Sequence, residues 1–382
     1  MKNIIYKEYQ PKTILNTQKH VDGGWFWGKY SVHPYLGCEW GCSYCYERDE
    51  KYNPYKLCRG NAEDPEIKNL EDPFSQYIKA KINVPELLDK ALCKKEKDLI
   101  YISGYLPINH KYKIVRKLLE VCLKHKFPVF INEKSSDILE DLDLLIKISQ
   151  ASYLNVAWSI ITARDDGTKR IFEPKSPSVA SRFEAMKKLS EVGIFTGTVF
   201  MPMLPFIYDT EENIEEVVKK TKECGGQYVL DGGLTLWGYC GVYFYKVLEK
   251  YNPDLVSEYK KLYANPEEFN KYSVRIHNLV LKYCDQYKIK NYIPREVSYY
   301  PKNLQINKKI AEKFYLKARE MQIAGNMKYR EWAYKKAAWN IDDLKEDLDV
   351  IYKKEGIKGI LKIKGVGEKL AGEIVKNLES RM

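Results

Sequence analysis

The sequence predicts an α/β protein: a partial, TIM-like (β/α)6 barrel followed by an all-α domain that ends in a helix–hairpin–helix. Three observations carry that prediction. Short apolar runs of strand length alternate six times with helical stretches, the pattern of a parallel sheet built from strand–helix units. From about Asn307 onward the pattern is helical throughout. Near its end, Gly365-Val366-Gly367 separates two apolar helical stretches, and glycines permit a tight turn there.

The elements follow in order. Residues 1–24 read as an N-terminal extension, 25–250 as the barrel, 251–303 as a helical extension and linker, and 304–382 as the helix–hairpin–helix domain. The strand candidates are Val32–Leu36, Asp98–Ser103, Pro128–Asn132, Tyr153–Ile160, Ile194–Phe200 and Tyr228–Leu234. Each is a short apolar run rich in β-branched and aromatic residues. Between them, Pro85–Lys94, Lys113–Lys124, Ile138–Ile148, Val179–Glu191 and Glu211–Cys224 place apolar residues at three- and four-residue spacings, as amphipathic helices do. We find no internal repeat and no low-complexity segment.

Composition narrows the class. A chain of 382 residues suits two or three domains and can bury a sizeable core. No apolar run approaches membrane-span length, so no membrane partner is expected. Nine cysteines, an odd number, and no secretory-type leader argue against a disulfide framework. The net charge of +11 points to an anionic partner. The 31 tyrosines suit either base stacking or mixed surfaces and cores.

Cys38, Cys42 and Cys45 are the most informative residues. They lie in Gly37-Cys38-Glu39-Trp40-Gly41-Cys42-Ser43-Tyr44-Cys45-Tyr46. Three thiolates so close can hold three corners of a [4Fe–4S] cluster and leave one iron open to a substrate or cofactor. Zinc is the alternative. It takes four protein ligands, with Cys58 thirteen residues on and His33 five residues back as the nearest further donors.

The Cys-x3-Cys-x2-Cys spacing followed by an aromatic resembles the signature of the radical S-adenosylmethionine (SAM) superfamily. The resemblance implies that the open iron binds the SAM amino and carboxylate groups. One electron then cleaves SAM to a 5′-deoxyadenosyl radical, and a donor such as a flavodoxin or ferredoxin supplies the electron. The run Ser31–Tyr46 is similar to the cluster region of the spore photoproduct lyase-like branch. So, in order, are Glu133-Lys134-Ser135, Asp141–Leu145, Ala157–Ile160, Glu173-Pro174-Lys175-Ser176-Pro177, Arg182 and Met201–Pro205. The likeness covers roughly residues 25–250. It departs from the branch at Ser103–Asn109, which is shorter than the usual Thr-Asp-Pro-Tyr-Gln-Pro-x-Glu and lacks both acids. It departs again at Glu140, where a basic residue is common.

The resemblance implies roles. Tyr44 matches an aromatic beside the SAM adenine. Ser103 and Gly104 match backbone that meets the methionine amino group. Lys134 matches a partner of the SAM carboxylate, through a charge-assisted hydrogen bond. Ser159 matches a further SAM contact, and Glu173 before Pro174 reads as an ordinary turn. No hydrogen-donor cysteine aligns. Cys58, Cys122, Cys240 and Cys284 stay open, with Cys240, Tyr239 and Tyr243 placed just after the sixth strand.

The tail holds the second signal. Amides that open the helix after Gly365-Val366-Gly367 suit a DNA phosphate without reading sequence, and Lys362, Lys364 and Lys369 flank the turn. Residues 304–382 carry eighteen Lys/Arg against twelve Asp/Glu, over half of the excess positive charge. This stretch resembles the small lyase domain of family X DNA polymerases. The lysine that attacks an abasic sugar in that family falls at Glu373, and a carboxylate cannot form the Schiff base. The tail therefore reads as a duplex-DNA-binding module without lyase activity, with Tyr334 and Lys335 as supporting contacts.

Together these features predict a cytoplasmic radical SAM enzyme acting on DNA, in pyrimidine photolesion repair (a carbon–carbon lyase reaction) or related base modification. A base target would have to leave the stack to be reached. Two alternatives stand beside it: a radical SAM enzyme acting on RNA or protein, and a non-catalytic iron–sulfur DNA-binding protein.

Overall fold

The structure is a computed structural model that describes residues 4–49, 67, 70–325 and 328–380. The chain divides into two compact units. Unit 1 is Met1–Asn16, Ser31–Glu96 and Ile100–Asn291; unit 2 is Thr17–Tyr30, Lys97–Leu99 and Tyr292–Met382.

The strands in chain order are β1 (Ile5–Tyr9), β2 (Asn16–Thr17), β3 (Tyr30–Val32), β4 (Tyr35–Leu36), β5 (Tyr77–Lys81), β6 (Ile100–Ile102), β7 (Val129–Glu133), β8 (Leu154–Ser159), β9 (Phe195–Met203) and β10 (Val229–Gly233). A seven-stranded sheet runs β10-β9-β8-β7-β6-β3-β2. Its pairs from β6 to β10 are parallel, with Ile100 opposite Val129, Val129 opposite Leu154, Asn155 opposite Phe195 and Thr198 opposite Val229. Strands adjacent in sequence are neighbours in space, as strand–helix units require. Both faces are covered, so β7 and β8 are buried almost throughout.

The intervening helices are Val84–Leu92, Ile114–His125, Leu142–Ala151, Val179–Glu191 and Glu211–Glu223. Local chemistry sets their starts. The side chains of Ser178 and Thr210 accept hydrogen bonds from the Ser181 and Asn213 amides. Pro253 and Pro266 open the two helices that follow Gly238–Tyr251.

The expected first strand, Val32–Leu36, is divided. His33-Pro34 separates β3 from β4, because proline lacks a ladder donor and restricts the residue before it. β4 then joins a separate three-stranded sheet, antiparallel to β5, which pairs in parallel with β1. The cysteine loop leaves this small sheet.

Unit 2 contains the helices Gln305–Ala324, Lys328–Asp342, Leu348–Glu355, Ile357–Leu361 and Glu368–Glu379. Residues 17–30 pack with this tail, and the stretch 251–303 is cut at Asn291. The Trp27 indole donates to the Ile293 carbonyl at 2.7 Å. Beside it, the buried Arg295 guanidinium bonds both Asp342 carboxylate oxygens, at 2.8 and 3.2 Å. Burial alone would raise the Asp342 carboxyl, but Arg295 and Lys308 hold it below its usual range. Among the described residues, no helix is long and apolar enough to cross a membrane.

Candidate cluster and cofactor site

The cysteine loop is held by backbone bonds to two other segments. Cys38 N donates to the Phe74 carbonyl at 3.0 Å, and Ser43 N to the Phe172 carbonyl at 2.9 Å. Gly37 turns the chain into the loop with φ near +83°. A Cβ there would lie 2.8 Å from the carbonyl oxygens of Phe74 and Tyr77, so only glycine fits. Glu39, buried in the loop, accepts from Tyr6 Oη at 2.5 Å and from Ile108 N at 3.0 Å.

Arg48 closes the loop from the far side. Its Nε donates to the Cys42 carbonyl at 2.9 Å, and its two terminal nitrogens bond Asp72 at 2.5 and 2.9 Å. The guanidinium lies over the Tyr243 ring, 3.8 Å from its centroid, and Tyr243 Oη donates to Asp72 at 3.1 Å.

The three thiols are neighbours. Burial pushes the Cys38 thiol well up, and Cys42 and Cys45 push it further. Cys42 is also raised by burial, but Lys134, Arg182 and Arg48 pull it back toward the thiolate. Among the described residues, no three Cys, His, Asp or Glu side chains are already gathered at ion-binding geometry. The donor set nevertheless fits an iron–sulfur cluster: three thiols in one short loop, cationic groups around Cys42, and a buried Ser43 hydroxyl that finds no partner among the described residues. Cys58 lies outside the described residues. His33 is buried, and its ring faces Tyr101 at 6.1 Å.

Three of the residues expected to hold SAM converge beside Cys42. Lys134, just past β7, donates to Glu173 Oε1 at 2.7 Å and to Tyr44 Oη at 3.1 Å. Tyr44 Oη in turn donates to Glu173. Arg182 donates to Glu173 Oε2 at 2.5 Å and to the Ser159 carbonyl at 2.8 Å. It is therefore the backbone of Ser159 that joins this cluster. Burial would raise the Glu173 carboxyl, but Arg182 and Lys134 hold it well below its ordinary value. Glu173, read from sequence as a turn residue, is the centre of the arrangement. Its turn role is real too: it caps the helix Gly167–Phe172, and its amide donates to the Lys169 carbonyl. Arg182 carried no role in the sequence reading and is fully buried.

Ser103 and Gly104 follow β6. The Gly104 amide donates to Glu133 Oε1, which also accepts from Tyr105 N at 3.0 Å. Burial raises the Glu133 carboxyl to about 7. The Gly104 carbonyl accepts from Leu106 N at 2.7 Å. The hydrogen-donor candidates sit differently. The Cys240 thiol is buried and donates to the Trp237 carbonyl at 2.8 Å, within its own helix start. The Tyr239 amide donates to Asp49 at 3.1 Å. Tyr243 reaches the cysteine loop through Arg48, whereas Cys122 and Cys284 are buried on helices.

In unit 2, Gly365 has φ near +79°, and Gly367 precedes the helix Glu368–Glu379. Lys364 and Lys369 are exposed, while Lys362 pairs with Glu355 at 2.5 Å. Tyr334 is buried and donates to Glu373 at 2.6 Å; Lys317 bonds the same carboxylate at 2.7 Å. Lys335 lies over the Trp332 and Trp339 rings.

Residues 32–225 match the family model described as the radical SAM superfamily. The chain belongs to that superfamily. Curated relatives match this chain at low identity. The uncharacterized protein ORF301 of Acidianus two-tailed virus is 26% identical over 271 residues, covering 67% of this chain and 83% of that protein. The uncharacterized protein MJ0683 of Methanocaldococcus jannaschii is 30% identical over 194 residues, covering 49% and 65%. Among solved structures, Streptococcus suis SuiB bound to precursor peptide SuiA aligns over 60% of this chain and 46% of that one. That alignment has 16% identity and a TM-score of 0.39, too slight a likeness to argue from. Superfamily membership places the cysteine loop and the Glu173 cluster within a radical SAM domain, since both lie inside the matched residues.

Proposed function

We propose that this radical SAM protein binds a [4Fe–4S] cluster on Cys38, Cys42 and Cys45, reductively cleaves SAM, and acts on DNA. The observation that carries the SAM reading is the buried Tyr44–Lys134–Glu173–Arg182 cluster beside Cys42. Cluster and SAM together would supply one-electron chemistry that starts from a carbon radical.

The chain's own residues have definable tasks. The Lys134 ammonium carries three donors, of which Tyr44 and Glu173 take two, and the third suits the SAM carboxylate. Glu173 fixes Lys134 and Arg182 in place and keeps Tyr44 Oη bonded, so that the tyrosine ring is presented as an adenine contact. Glu133 holds the Ser103–Tyr105 backbone, where the methionine amino group would meet it. Burial keeps water away from the group of side chains.

The DNA reading rests on unit 2. The Gly365–Gly367 turn before a helix, with exposed Lys364 and Lys369, suits phosphate contact without base readout. Repair of a pyrimidine photolesion or modification of a base is the reaction class proposed.

The test is anaerobic reconstitution with iron and sulfide, then dithionite and SAM, with 5′-deoxyadenosine measured with and without intact and ultraviolet-damaged duplex DNA. Cleavage that Cys42→Ala abolishes is the expected result, with a rate or product changed by one of the DNAs. A fully loaded cluster that never cleaves SAM would overturn the SAM reading. Cleavage indifferent to DNA would overturn the choice of substrate.

A further inference from the structure

Unit 2 carries a cavity that the phosphate-binding turn does not use. Its volume is about 330 Å³, within the usual range for a small-molecule pocket. The walls come from residues 18–25 and from the helices Gln305–Ala324 and Lys328–Asp342. Aromatic side chains line it, each already packed on one face. His20 stacks flat on Trp339, with ring centroids 4.4 Å apart and planes at 7°. Trp25 lies under the Arg319 guanidinium at 4.8 Å.

The polar groups divide by charge. Asp22 contributes a carboxylate that accepts from the Phe26 amide and lies in the field of Lys335. Lys19, Arg319 and Lys335 supply cations, and Glu331 is the other acid of the lining. Flat aromatic walls suit a planar ring. A carboxylate within reach of that ring accepts from an amino or ring N–H edge. The surrounding cations suit a phosphate and oppose a cationic peptide side chain.

We propose that this cavity binds one unstacked nucleotide, its base against Trp25 and the His20–Trp339 pair, its hydrogen-bonding edge toward Asp22, and its phosphate toward Lys19 and Lys335. The proposal deepens the DNA reading of unit 2 by adding a base contact to a module otherwise read as holding backbone. A base can occupy this cavity only out of the stack, so the preferred partner is single-stranded or locally opened DNA.

The test uses the full chain. Binding is measured by tryptophan fluorescence for a single-stranded oligonucleotide, an abasic oligomer of equal length, adenosine 5′-monophosphate, ribose 5-phosphate and a lysine-rich peptide. The base-bearing oligonucleotide should bind roughly tenfold tighter than the abasic one, the order that one stacked base contributes. Trp339→Ala should erase that difference. Asp22→Asn should alter the preference among bases. Lys335→Gln, on a partly exposed residue, provides a second variant should Trp339→Ala misfold, and it should weaken the mononucleotide several-fold.

Equal affinity for base-bearing and abasic oligomers overturns the cavity while leaving backbone binding in place. A mononucleotide that quenches fluorescence where no oligomer binds supports the cavity and overturns the DNA reading. No response to any nucleotide, or tighter binding of the lysine-rich peptide, overturns the proposal.

Discussion

At the residue scale, the cysteine loop depends on a few positions that tolerate nothing else. Gly37 combines a left-handed backbone with carbonyls 2.8 Å from where a Cβ would sit. Gly37→Ala should destabilise the fold by about 2 kcal/mol or more, since strain and overlap act together. Iron content after reconstitution should fall with it, read as iron per chain beside a thermal melt. Glu133 offers a pH signature. Burial raises its carboxyl from 4.5 to about 7, partly offset by the Tyr105 and Gly104 amides. The folded state therefore binds that proton more tightly than the unfolded state. Its contribution to stability is fully present below pH 4.5 and is lost as pH rises through 7. Glu133→Gln keeps an acceptor for both amides and removes the titration. Unfolding free energies from denaturant titrations between pH 5 and 7 should fall with pH in the native protein, by on the order of 1–3 kcal/mol, and that component should be absent in the variant.

At the element scale, what could be read in advance follows what is local. The parallel strands β7, β8 and β9 were legible because sheets buried on both faces are written as short apolar runs. Val179–Glu191 was legible to the residue, since Ser178 caps it and its apolar spacing is regular. β3 and β4 were read as one strand because the run looks continuous; the break is the backbone chemistry of His33-Pro34. The small sheet was not legible, because its strands come from β1, β4 and β5, far apart in sequence and partly exposed. The same limit hid Glu173. Its turn before Pro174 is a local signal, whereas Lys134 lies 39 residues away, and nothing local announces that pairing. In unit 2 the joining of residues 17–30 to the tail was hidden for the same reason, although its anchor, Arg295–Asp342, can be tested directly. Asp342→Asn leaves a buried guanidinium and ammonium without their carboxylate, which should cost about 3–5 kcal/mol. Calorimetry should show the loss, and lysines of unit 2 should become more reactive to labelling while iron loading on Cys38, Cys42 and Cys45 persists. Loss of iron loading in step with unit 2 would contradict an independent core.

At the scale of the whole molecule, the chain has two compact units, each with its own buried polar centre, Glu173 in one and Asp342 in the other, and the proposed function gives the chemistry to the first and DNA contact to the second. That division predicts that the two activities can be removed one at a time. Cys42→Ala should abolish 5′-deoxyadenosine formation while duplex DNA still binds with unchanged affinity. The double variant Lys364→Ala/Lys369→Ala should do the reverse. Each lysine removed from a phosphate contact lowers the slope of log affinity against log salt by about 1, and affinity should fall uniformly across sequences because phosphates carry no code. SAM cleavage without DNA should stay within about twofold of the native rate, since an exposed lysine that contacts only phosphate gives nothing to the chemical step in DNA's absence. Any DNA-dependent change in rate or product should vanish at moderate salt and return when salt is lowered, as expected if the lysines act by holding substrate. A double variant that loses DNA-free cleavage would show instead that unit 2 supports the chemistry itself, and the assignment of the two tasks to two units would fall.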